Sequence, residues 1–141
     1  MTDTISGYSS DLQAYFQARD RIEKQTYRLT LTGKQAFYIQ KACELYERIH
    51  AGQWFAISEL LPCKKDVYEW EVERALKTFV EPLINKDKLK FERISGDISR
   101  VIRHRLAWDI EPQGGITVNF SKPFEMSGEP LPKFEQVKED K

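Results

Sequence analysis

The sequence predicts a helix-rich α+β domain, in which three to five helices carry a small sheet, and three observations lead there. Segments at 33–51, 67–84 and 95–108 repeat apolar residues at helical spacing. Two short runs, 26–32 and 115–120, alternate apolar with polar residues as half-buried strands do. Each run is too short to be stable alone, so the two are expected to pair.

The elements follow in order. Residues 1–10 are polar and read as loose; 11–23 reads as a short helix capped by Ser9 or Ser10. In 26–32, Tyr27, Leu29 and Leu31 share one face, which the sheet would turn to the core. Thr32 is a suitable N-cap for the helix over 33–51, whose stripe of Tyr38, Ile39, Ala42, Leu45, Tyr46 and Ile49 is expected to be buried. Gly52 stands where a C′ glycine ends such a helix, and 53–61 reads as a further short helix stopped by Pro62. Asp66 is read as the cap of the helix over 67–84, with Tyr68, Val72, Leu76, Phe79 and Leu83 inward and Pro82 ending or kinking it near Thr78. Ser95 or Asp97 is read as the cap of the helix that reaches Trp108, with Ile98, Val101, Ile102 and Leu106 inward. Gly114-Gly115 then turns the chain into the second strand. The single domain is expected to end at 122; residues 123–141, with Pro123, Pro130 and Pro132 among charges, read as an extended or disordered tail.

Composition narrows the function classes. The 141 residues carry 22 Lys plus Arg against 22 Asp plus Glu, a formal charge of zero. General binders of nucleic acid or membrane surfaces usually carry a positive surplus. The two cysteines, Cys43 and Cys63, have no metal-ligand spacing and are read as reduced thiols, so no metal is expected. The first ten residues lack the basic and apolar regions of a signal peptide, and no stretch approaches the roughly 18 apolar residues of a membrane span, so the chain is read as cytoplasmic.

Catalytic motifs are not found: there is no GxSxG, HExxH, GxxxxGKS or GxGxxG after a strand. The chain is therefore read as a non-enzyme without a cofactor. One feature does mark a site. Arg105 and Asp109 fall on the apolar face of the last helix, where a charged pair is costly unless it is paired or bound. With Gly52, Gln53, Arg103, His104 and Trp108 they could line a pocket for a nucleotide or similar anion, the arginines holding phosphate and the indole stacking a base. Charge is also polarised: residues 86–105 hold seven basic and three acidic side chains, residues 59–73 five acidic and two basic. Phe37 and Trp70 lie off the apolar stripes of their helices, where large aromatics pack under another segment or enter an interface.

Three fragments, Leu-Tyr-Glu-Arg-Ile-His-Ala-Gly-Gln at 45–53, Val-Ile-Arg-His-Arg-Leu-Ala-Trp-Asp at 101–109 and Gly-Gly-Ile-Thr-Val-Asn-Phe at 114–120, resemble a set of small bacteriophage-encoded proteins of unassigned function. His50 and Ala51 depart from that pattern. The resemblance implies a phage accessory protein in the bacterial cytoplasm and no particular reaction. The leading expectation is a non-enzymatic accessory protein that binds a host macromolecule, a host protein above all, and blunts a defence system. A nucleotide- or anion-binding protein is the alternative, with a pocket that two protomers could share, and DNA binding comes third. A nucleotide pocket requires Arg105 and Trp108 to converge on a concave site; a protein binder requires Phe37 or Trp70 exposed on an open patch.

Overall fold

A computed structural model of the chain describes residues 3–89, 93–112 and 121–137. Five α-helices organise the described residues: α1 (Asp3–Glu23), α2 (Gly33–His50), α3 (Phe55–Leu60), α4 (Glu69–Ala75) and α5 (Ile94–Ile110). No strand occurs among the described residues, which corrects the expected α+β class to a helical one. Residues 26–32 have no regular structure, and Tyr27 and Leu29 are 69% and 71% exposed instead of facing a core. The proposed partner strand, 115–120, lies outside the described residues. Alternation makes a strand only where a second strand completes the ladder and a layer covers the apolar face.

The chain divides into two units, 1–30 and 31–141. In the first, α1 starts at Asp3 and so takes in residues expected to be loose. An i,i+4 pair, Arg19 Nε to Glu23 at 2.8 Å, closes its last turn.

In the second unit, α2 begins as its sequence dictates. The Thr32 hydroxyl accepts from the Gln35 backbone N–H while the Gln35 side chain accepts from the Thr32 backbone N–H, a reciprocal capping box. Its C-terminus closes with Gly52 at φ +75°: the Gln53 N–H reaches the Arg48 carbonyl at 2.8 Å and the Gly52 N–H that of Ile49 at 3.0 Å. This is the Schellman pattern, and it needs the left-handed residue that glycine supplies.

The α4 helix begins at Glu69, with the Tyr68 backbone N–H donating to the Glu71 carboxylate at 2.8 Å, so Asp66 is not its cap. Asp66 instead adopts φ 68° in the preceding turn. Pro82 lacks an N–H and its ring would strike the carbonyl four residues back, so the α-helical ladder cannot continue through it. The backbone gives up that ladder at Ala75, runs as a π turn over Leu76–Val80, with the Glu81 N–H bonded to the Leu76 carbonyl, and passes into a 3-10 turn at Glu81–Leu83.

Helices α2 and α5 are the main pair. The face α2 buries is Ala36 and Gln40, not the expected aromatic stripe, and Tyr38 is 71% exposed. From α5 come Gly96, Asp97, Ser99, Val101 and Ile102. Leu45, Ile49, Leu76, Ile98 and Leu106 are only half-buried, and Phe79 is 72% exposed. The buried seam residues are mostly small or polar, and a Cβ on Gly96 would fall on the Glu47 carboxylate, which occupies the space beside that glycine. Large side chains are displaced from the seam. Trp54, which no sequence pattern marks, joins Ala36, Ala56, Val101 and Ile102 as the apolar core, and its indole N–H donates to Glu81 at 3.0 Å. Among the described residues no helix is long and apolar enough to cross a membrane.

Candidate functional site

Two places concentrate polar or aromatic groups. The first is the seam between α2 and α5. The Gln40 amide donates to Ser99 Oγ and to Glu44 Oε2, both at 3.0 Å, so a buried polar side chain ties the two helices. Burial alone would raise the Glu44 carboxyl, but the Gln40 bond and the charges of Lys41 and Arg48 bring it below its ordinary value. One turn on, Arg100 Nη1 lies 3.3 Å from Glu47, and Arg100 Nη2 donates to Asp97 at 2.7 Å.

Asp97 is not the cap the sequence suggests. Helix α5 starts at Ile94, after Arg93, which makes no side-chain cap, and Asp97 sits within the first turn, 2% exposed. Its carboxylate accepts the backbone N–H groups of Met126 and Ser127, each at 2.9 Å, and the Ser127 hydroxyl. Arg100 Nε also donates to the Phe124 carbonyl at 3.2 Å. The irregular segment 121–137 is thus bound at 124–127 to the start of α5. Burial pushes the Asp97 carboxyl up, and the hydrogen bonds from Ser127, Arg100 and Met126 outweigh it, bringing it down to about 2. An acid spaced at i−4 from the buried Val101 is the available signal for an inward carboxylate.

Beside this seam lies a cavity of about 360 Å³ whose lining includes Arg48, Gln53, Arg100 and Arg103, faced by Glu44 and Glu47. Of the residues expected to form an anion pocket, Gln53 and Arg103 line it and Gly52 adjoins it as the helix-ending turn. The others lie elsewhere on α5. Arg105 donates through Nε to Asp109 at 2.9 Å, with a second, shorter contact from Nη2, and its side chain is 42% exposed. His104 and Trp108 face one another with ring centroids 6.2 Å apart. The Trp108 indole N–H is buried without a hydrogen-bond partner among the described residues.

The second place is an open cleft of about 810 Å³ between α3 and α4, lined by Phe55, Leu61, Val67, Tyr68 and Trp70, with carboxylates among them. The turn bearing Asp66 brings the chain from α3 back alongside α4: the Val67 N–H reaches the Lys64 carbonyl at 3.0 Å. Tyr68 and Trp70 then present nearly parallel rings, 9° apart in plane with centroids 6.4 Å apart. They remain 64% and 58% exposed. Tyr68, expected inward, is the residue that apolar periodicity misplaces here; Trp70 is the aromatic that its off-stripe position marks. Phe37, the other off-stripe aromatic, is 47% exposed on α2.

Cys43 is half-buried and burial raises its thiol, which works against a reactive thiolate. Among the described residues no group of three or more His, Cys, Asp or Glu is placed to hold a metal ion. Comparison with protein-family models, with characterised proteins and with solved structures finds no match for this chain.

Proposed function

We propose that this protein acts by binding another protein through the cleft between α3 and α4. One observation carries the reading: a parallel Tyr68–Trp70 pair, more than half exposed, in an open cleft with further apolar walls. Large aromatics held out of the core in a concave patch are the usual anchors of protein interfaces, because they supply much contact area with few rotatable bonds. The resemblance to phage accessory proteins extends the proposal to a host protein in the bacterial cytoplasm, with a defence component as the natural target; that extension rests on the resemblance alone. The test is affinity capture from bacterial lysate with wild-type protein, Trp70→Ala and Arg105→Ala, with mass spectrometry of proteins and extracted small molecules. A protein partner lost with Trp70→Ala and kept with Arg105→Ala is expected. A nucleotide recovered without a protein would overturn the proposal.

Anion binding is the second reading, supported by Arg48, Arg100 and Arg103 around the smaller cavity. It is weaker, since Glu44 and Glu47 line the same space and Arg105 and Trp108 do not. DNA reading by α5 has less support still: Arg100 and Arg105 are held by Asp97, Glu47 and Asp109.

A further inference from the structure

The charge of the α3–α4 cleft says what kind of partner suits it. Among the described residues, every charged side chain that lines it is a carboxylate: Glu59, Glu69 and Glu73. Glu73 is already met by Lys77 at 2.7 Å, whereas Glu59 and Glu69 have no salt bridge among the described residues. Lys64 and Lys65 belong to the connecting turn and do not line the cleft. An apolar groove with a single sign of charge favours a segment of the opposite charge. The Tyr68 and Trp70 rings narrow the choice of cation. A guanidinium is planar, stacks on an aromatic face while its edge donates a forked pair of hydrogen bonds to a carboxylate, and sheds its water more readily than an ammonium. The cleft offers both features, since Glu59 and Glu69 line it together with the two rings.

We infer that the α3–α4 cleft receives an arginine-bearing peptide segment of a partner protein, its apolar side chains against Phe55, Leu61 and Val67 and its guanidinium against Tyr68, Trp70 and the Glu59 and Glu69 carboxylates. This deepens the protein-binding reading above and depends on it.

The test is fluorescence anisotropy of a labelled amphipathic peptide of leucine and arginine, with lysine-for-arginine and glutamate-for-arginine versions as controls, against the full-length protein. The arginine peptide is expected to bind, several-fold more tightly than the lysine version and far more tightly than the glutamate version. Trp70→Ala should weaken it at least about ten-fold. The double variant Glu59→Gln with Glu69→Gln should weaken it and reduce its salt dependence, since the screened charges are gone. Both sets of substitutions are at solvent-exposed positions, and circular dichroism verifies the fold. Equal binding of the glutamate peptide, no binding of the arginine peptide, or indifference to Trp70→Ala would overturn the inference. So would self-association that Trp70→Ala abolishes, because a second copy of the chain would then be the occupant. A Trp70-dependent protein captured from lysate, with no affinity for the arginine peptide, would sink this inference and leave the protein-binding reading standing.

Discussion

Replacing Asp97 with asparagine tests whether the bound segment at 124–127 is part of the folded structure. The carboxylate accepts two backbone N–H groups and the Ser127 hydroxyl and pairs with Arg100. Its pKa falls from 3.8 to about 2 on folding. A difference of that size, at about 1.4 kcal/mol for each unit, is worth about 2–3 kcal/mol in favour of the ionised folded form. Because the folded value is the lower one, this stability is complete above the unfolded value of 3.8 and is lost as pH falls toward 2. About half should remain near pH 3. An asparagine at this position would keep one acceptor oxygen but set its amide NH2 against the donors of the other, either Met126 or Ser127. Urea denaturation followed by circular dichroism should therefore show Asp97→Asn less stable by about 2–3 kcal/mol at pH 7, with the gap halved near pH 3. A gap under about 0.5 kcal/mol at pH 7, or one independent of pH, would refute the reasoning.

Three further outcomes are expected. Trp54→Ala should cost about 3–5 kcal/mol in thermal or urea unfolding, since it empties the largest core position and leaves Glu81 without the indole donor. Gly52→Ala should cost about 1 kcal/mol by the same measurement, because alanine resists the φ of +75° that closes α2. Arg105→Ala should cost under about 1 kcal/mol, as expected for an exposed i,i+4 pair and well short of a buried one. A loss near about 3 kcal/mol would mean that the pair is buried in solution.

The ends of α2 were legible in the sequence, and its faces were not. Thr32, Gln35 and Gly52 act through local backbone geometry that a sequence carries directly. Which stripe of α2 turns inward depends on its neighbour: α5 presents Gly96 beside the Glu47 carboxylate and Ser99 to the Gln40 amide, while Tyr38 stays outside. Apolar periodicity favours the larger residues, and here the contact is small and polar. At 26–32, alternation alone did not decide the structure: Tyr27 and Leu29 are exposed and the segment has no regular structure. At the candidate site, Trp70 stands out because it lies off its stripe. Tyr68 is hidden by lying on it, since α4 begins one residue later and the ring turns to the cleft. The inward role of Asp97 depends on residues about 30 positions away in sequence, which no local pattern reports.

The central claim, that the α3–α4 cleft is the binding face, is tested most directly by hydroxyl-radical footprinting of the protein alone and in complex with the partner captured from lysate. Tyr68 and Trp70 should be oxidised readily in the free protein and become protected in the complex, while Arg103 and Gln53 keep their reactivity. Unchanged oxidation of Tyr68 and Trp70, with protection appearing instead around the cavity between α2 and α5, would contradict it.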